Sequence, residues 1–169
     1  ALTFVAPVHR IVDLCAAPGG KTTHLSALNG DKGHVFAVDP TEKRLSLVRE
    51  NCARLGITSV EYCAVDGREF QLEQRAEYVL VDAPCSGLGV VGRRSDMRWN
   101  RKAESIEGLI LLQRELLRRG AALVAPGGRL VYSTCTTVRR ENEEIVSDFL
   151  AEHAHFKIVP ITHQDNSVC

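Results

Sequence analysis

No stretch of this sequence stays apolar for the ~20 residues that a helix needs to cross a bilayer. Residues 1–10 do not combine a basic start, an apolar run and a small-residue cleavage site. From both absences we expect a cytoplasmic protein. The six cysteines, at positions 15, 52, 63, 85, 135 and 169, include no C-x-x-C pair. That excludes the spacing of a zinc knuckle or a thioredoxin-like redox centre, and no metal is expected. In a reducing compartment the cysteines remain thiols. An excess of either charge is lacking too, since 21 Lys and Arg face 21 Asp and Glu. No global field draws in a polyanion, so any nucleic-acid contact has to come from a local patch. Repeats and linkers are absent, and the 169 residues, 44% hydrophobic and 25% charged, read as one globular domain. At that length folding buries about 70% of the unfolded surface.

What is present is an alternation. Apolar runs at residues 10–15, 34–39, 60–65, 78–82 and 129–135 read as buried strands. Within 41–55, Leu45, Val48, Cys52 and Leu55 repeat on one helical face, and Gly56 is a natural terminator. Longer helices are predicted over 103–124, closed by Pro126-Gly127-Gly128, and over 139–152, with 156–161 a candidate sixth strand. Strand and helix in turn imply an α/β fold, a mostly parallel sheet with helices on both faces. Ligands bind such sheets beyond the carboxyl ends of the strands. There the sequence places residues 15–22, Asp39, Asp66, residues 82–87 with Asp82 and Cys85, and residues 134–136 with Cys135.

The first of these, "DLCAAPGGKTTHL" at 13–25, ends like a phosphate-binding loop in Gly19-Gly20-Lys21-Thr22. A Walker A loop needs a glycine where Cys15 stands, and G-x-G-x-x-G is absent, which counts against an ATPase and an NAD enzyme. "YVLVDAP" does resemble a Walker B strand, so a P-loop-like ATPase stays as a minor alternative. What remains is a glycine turn after the first strand and Asp39 ending the second. A ribose can donate both hydroxyls to such a carboxylate. Asp66 can accept from an adenine amino group, and helix amides beyond Gly20 can receive a carboxylate. S-adenosylmethionine has all three parts. Taken singly, each acid reads better as turn punctuation; the three together with a glycine turn favour the nucleoside.

The blocks "DLCAAPGGKT", "VDPTEKRLSLVRENCARLG", "VLVDAPCSGLGV" with "SDMRW", and "GGRLVYSTCTTVRRENEE" together resemble the Fmu/Sun family of RNA cytosine-5 methyltransferases, bacterial 16S ribosomal RNA type. The resemblance implies a Rossmann-like methyltransferase fold, S-adenosylmethionine as donor and a cytidine in RNA as acceptor. It implies cofactor contacts from Cys15, Ala16, Ala17, Pro18, Gly19, Gly20, Lys21, Asp39, Arg44, Asp66 and Asp82. It also implies that Cys135 attacks carbon 6 of the base, that Asp82 acts at ring nitrogen 3, and that Cys85 helps release the product. Lys21 is implied near these groups, where its charge favours a thiolate. The bland reading makes Cys85 and Cys135 small buried hydrophobes, which suits Cys52 and Cys63. Residues 93–102, "RRSDMRWNRK", hold five basic residues and one acid. Arg93, Arg94, Arg98 and Trp99 are the candidates for gripping RNA phosphates and stacking on a base, with a solvated surface loop as the alternative.

Two departures from the family shape the expectation. Only about ten residues precede the first strand, and the Gly-Thr-Asp-Gly-Phe-like last strand is not found. We therefore expect residues 1–169 to be a methyltransferase catalytic domain without the N-terminal RNA-binding region and the C-terminal strand. A catalytically inert S-adenosylmethionine-binding remnant, acting as a scaffold module, is the second hypothesis.

Overall fold

The computed structural model describes residues 9–90 and 103–160. Five strands form one wholly parallel sheet in the order β3-β2-β1-β4-β5: β1 Arg10–Asp13, β2 His34–Asp39, β3 Val60–Ala64, β4 Ala76–Asp82 and β5 Val124–Ser133. Between them run α1 Gly20–Leu28, α2 Glu42–Leu55 and α3 Ala103–Leu123, with α4 Glu143–Glu152 last. This is a Rossmann-like fold. The chain steps from β1 outward through β2 to β3, then returns to the other side of β1 for β4. That reversal leaves a crevice at the carboxyl ends of β1 and β4.

Strand pleat explains the two cores. Adjacent residues point to opposite faces, so Ile11, Val35, Ala37 and Leu80 pack with Leu25 of α1 and Leu45, Val48 and Cys52 of α2 on one face. Val12, Val79 and Val81 pack with Leu116 and Leu123 of α3 on the other. Strands buried on both faces read as the continuous apolar runs that located them. The α2 stripe does bury Leu45, Val48 and Cys52, while Leu55 is 51% exposed. Gly56 closes α2 in the left-handed region, at φ 69°. A third cluster of Ile110, Leu117, Ile145 and Phe149 seats α4 against α3.

Three expectations are corrected. Residues 156–160 make no strand pairing: the Phe156 ring lies 5.2 Å from that of Phe149, edge to face, and this anchor holds the segment against the helices while Ile158 and Val159 stay exposed. Residue 161 lies outside the described residues. The predicted helix over 139–152 is broken, with a 3-10 turn at Arg139–Glu141 and α4 starting only at Glu143. Its cause is Glu141, which turns inward and is wholly buried. Finally, Pro126-Gly127-Gly128 does not separate α3 from its strand but bulges within β5, where the pairing steps from Ala76 with Val124 to Tyr78 with Arg129.

Candidate active site

At the β1 end the loop 14–19 folds back over the sheet, with Ala16 N donating to Val38 O at 3.0 Å. Gly19 makes the turn into α1 at φ 110°, and a Cβ there would stand 3.0 Å from Val48 Cα. A side chain is barred twice over, by conformation and by α2. The first amides of α1 have no partner within the helix, leaving them to receive an anion. Beneath the loop Asp13 is buried, accepting from Thr22 Oγ1 at 2.8 Å. Burial pushes its carboxyl up to about 6, against the opposing hydrogen bond from Thr22. Burial also pushes the Cys15 thiol up to about 12, with the Asp13 and Asp39 charges adding to the effect. This thiol stays protonated and shapes the turn.

Asp39 ends β2 with 1% of its surface exposed. Its Oδ2 lies 3.2 Å from Arg44 Nε, yet this atom and Asp13 Oδ1 have no hydrogen-bond partner among the described residues. A buried carboxylate oxygen without a donor is costly. Donors supplied by a ligand at this loop remove that cost, and the hydroxyls of a ribose are of that kind. Asp66 follows β3 at the same edge but is already engaged: Arg68 donates to it from Nε at 3.0 Å, from Nη2 at 2.6 Å and from its backbone N at 2.9 Å. The guanidinium holds the Asp66 carboxyl below its usual range.

The carboxyl ends of β4 and β5 bring two thiols together. Asp82 sits in register beside Ser133. Its Oδ1 accepts from Ser133 Oγ at 2.6 Å and its Oδ2 from Lys21 Nζ at 2.6 Å. So Lys21, expected near a thiolate, has its ammonium on the aspartate. Beyond β4, Cys85 Sγ lies 3.1 Å from Cys135 Sγ beyond β5, and Cys135 N donates to Cys85 Sγ at 3.3 Å. Both are free thiols. Burial, with the Cys135 thiol beside it, pushes Cys85 up to about 11, whereas Cys135 is exposed. The two therefore differ in access, Cys135 being exposed and Cys85 partly buried. Gly89 permits this approach, since a Cβ there would meet Cys135 O at 2.8 Å.

The sequence matches the family described as 16S rRNA methyltransferase RsmB/F over residues 4–168. The chain belongs to that family. Among the curated relatives, the probable ribosomal RNA small subunit methyltransferase B of Bacillus subtilis is 42% identical over 151 residues, 87% of this chain and 34% of its own. Its namesake from Synechocystis is 42% identical over 91% of this chain and 35% of its own. The chain thus spans about a third of these relatives. Among solved structures, NSun6 from Pyrococcus horikoshii, determined with the S-adenosylmethionine analogue SFG, superposes with a TM-score of 0.78 at 38% identity, covering 85% of this chain and 37% of that one. A methyltransferase homologue from the same organism gives 0.79 at 32% identity, over 93% and 49%.

Within this RsmB/F chain the structure brings Lys21, Asp82, Cys85 and Cys135 to the ends of α1, β4 and β5, and Cys15, Asp39 and Arg44 to those of β1 and β2. Arg93, Arg94, Arg98 and Trp99 lie outside the described residues. Sequence reasoning missed Asp13, Ser133, Arg68, Gln113 and Glu141. For Asp13 and Ser133 a signal existed, since both close strands on the ligand side. For Glu141, inside the charge run "RRENEE", the pattern pointed the other way, to a solvated surface.

Proposed function

We propose that this chain transfers the methyl group of S-adenosylmethionine to carbon 5 of a cytidine in RNA, ribosomal RNA as in the names of its relatives, and that it works in the cytoplasm. The observation that carries the reading is the free thiol pair, Cys85 and Cys135, 3.1 Å apart beside Asp82 at the switch point of the sheet. Asp39, whose buried Oδ2 faces Arg44 at 3.2 Å but makes no hydrogen bond, would hold the ribose, the turn 15–20 and the α1 amides the methionine end, and Asp66 the adenine by sharing its carboxylate with Arg68. Bound there, S-adenosylmethionine supplies an electrophilic methyl group.

The protein's own residues do the rest. Carbon 5 of cytosine is a poor nucleophile until carbon 6 carries an electron-donating substituent. The Cys135 thiolate adds to carbon 6, and Asp82 stabilises the charge at ring nitrogen 3 by a hydrogen bond or proton. After carbon 5 is methylated its proton leaves, the carbon 6–sulfur bond breaks with its electron pair returning to sulfur, and Cys135 is free again. One proton is released overall. Cys85, adjoining Cys135, is placed to assist the breaking step. The target base has to leave its stack to reach the thiols, and residues 93–102 would grip the flanking strand. Support for a methyltransferase over an ATPase comes from the family and from the absence of a glycine at position 15.

Calorimetry with S-adenosylmethionine and with ATP, followed by tritium release from RNA labelled at carbon 5 of cytidine, tests the proposal. Binding of the first ligand with cofactor-dependent tritium release is expected. Cofactor binding without release would favour the scaffold reading, and preferential ATP binding the P-loop one.

A further inference from the structure

The mechanism above uses two loops from different strands but does not explain what fixes one against the other. Ladder pairing between β4 and β5 ends at Asp82 and Ser133, three and two residues before the cysteines, and beyond it Ala83 N donates to Ser133 O at 2.9 Å and Gly89 N to Cys135 O at 3.1 Å. Two neighbouring side chains add to these few backbone bonds. Glu141 is wholly buried, and its Oε1 accepts from Ser86 N at 2.8 Å and from Gln113 Nε2 at 2.9 Å. The same Gln113 nitrogen donates to Pro84 O at 2.8 Å. The residues on both sides of Cys85 are thereby tied to one carboxylate. Asn142 does the same for Cys135: Thr134 Oγ1 donates to its Oδ1 at 2.5 Å, and its Nδ2 donates to Thr136 O at 3.0 Å and Val138 O at 3.1 Å. A bond between Ser86 Oγ and Thr136 Oγ1 at 2.8 Å crosses directly between the loops.

We propose that Glu141 and Asn142 are positioning residues that set the spacing of the two thiols, Glu141 by holding the Cys85 loop and Asn142 by holding the Cys135 loop. Being adjacent in the chain, they transmit one loop's position to the other through a single peptide unit. The backbone under them is itself held, with Tyr132 OH donating to Glu141 O at 2.8 Å. Burial pushes the Glu141 carboxyl up, but the hydrogen bonds from Ser86 and Gln113 prevail and leave it below its usual range. It is therefore a carboxylate at neutral pH, and charge-assisted bonds of this kind are the stronger ones. A surface role would leave Glu141 solvated, like its neighbours Glu143 and Glu144. The buried position, interrupting what would otherwise be one continuous helix, has a function only if the loops it holds must stay in register. The chemistry ascribed to the thiols rests on the proposed methyl transfer; the spacing does not.

Phenylarsine oxide tests the spacing without RNA or cofactor. The reagent exchanges its oxygen for two thiols, forming two As–S bonds while the two S–H protons leave with the oxygen as one water, and bridges only thiols held close together. After digestion, mass spectrometry of the wild-type chain should show a bridged 85–135 peptide pair. Glu141→Ala and Asn142→Ala should each require at least ~10-fold more arsenical for half-bridging, because the second thiol's effective concentration falls. Glu141→Gln, which keeps an acceptor oxygen, should restore most of the bridging, and Glu143→Ala should behave as wild type. Calorimetry with S-adenosylmethionine should be unchanged in all four. Should Glu141→Ala not fold, Gln113→Leu, which frees Pro84 O, takes its place with the same expectation. A folded Glu141→Ala or Asn142→Ala variant that bridges like the wild type removes that residue from the device. Wild-type bridging with the expected losses, in a chain that methylates no RNA, would keep the positioning and overturn the methyl-transfer reading alone.

Discussion

The carboxyl ends of β1 and β2 and those of β4 and β5 both carry polar groups, but they differ in how far those groups reach solvent. On the β1–β2 side Asp13 and Asp39 are each 1% exposed, each has a carboxylate oxygen that makes no hydrogen bond among the described residues, that of Asp39 being ion-paired with Arg44, and the turn above them is braced by α2 through Asn51 Nδ2, which donates to Pro18 O at 3.0 Å. On the β4–β5 side both oxygens of Asp82 accept hydrogen bonds, Cys135 is exposed, and bracing comes from residues 141 and 142, behind the loops. One side keeps its carboxylates buried, with an oxygen on each that makes no hydrogen bond among the described residues. The other is more open at Cys135, with both Asp82 oxygens bonded, although Glu141 Oε2 and Gln113 Oε1 behind its loops also lack a hydrogen-bond partner among the described residues. Under the proposed function, binding and chemistry fall on opposite sides of one switch point.

The comparison can be broken first at Asp13. Its carboxyl titrates at about 6 in the folded chain against 3.8 ordinarily, so the folded state keeps the proton longer. The stability this contributes is full below about pH 4 and is lost as pH rises through 6. Lys21 and Asp82, which face Asp13 with opposite charges, are its other electrostatic neighbours. A shift of about two units corresponds to ~3 kcal/mol. Asp13→Asn should therefore gain about that much relative to wild type between pH 4 and pH 7 in urea titrations; a parallel pH dependence would show that Asp13 is not desolvated. Next in size is Asp39→Ala, which should weaken S-adenosylmethionine binding by about 1–3 kcal/mol while arsenical bridging of Cys85 and Cys135 stays intact. Loss of both would mean that the two sides are coupled. The smallest effect sharpens the thiol side. At pH 8 iodoacetamide should alkylate Cys135 at least ~10-fold faster than Cys85, whose thiol burial pushes up to about 11. Equal rates would erase the distinction between them.

Much of this was legible from residue patterns. Runs such as 34–39 and 78–82 are strands because a sheet covered on both faces needs uninterrupted apolar side chains, and Asp39, Asp82, Cys85 and Cys135 were located by their distance past those runs. The thiol pair was named from motifs, but its spacing and its inequality depend on loops from strands some 50 residues apart. Glu141 was illegible for a definite reason. A glutamate among "RRENEE" has the periodicity of a solvated helix, and only the unpaired N–H of Ser86, brought in by the fold, makes burial favourable. Phe156 misled in the opposite way: an apolar run suggests a strand, yet one ring seated on Phe149 satisfies the segment without any pairing.

The division of labour between Cys135 and Cys85 is the central claim, and a denaturing gel of the chain with cytidine-containing RNA and S-adenosylmethionine tests it most directly. If Cys135 forms the bond to carbon 6 and Cys85 helps break it, Cys85→Ala should stay covalently attached to RNA after methyl transfer. Cys135→Ala should give neither adduct nor 5-methylcytosine, and the double variant should match Cys135→Ala, because a ring that is never activated cannot be trapped. A persistent adduct with Cys135→Ala and none with Cys85→Ala would contradict the account and reverse the two roles.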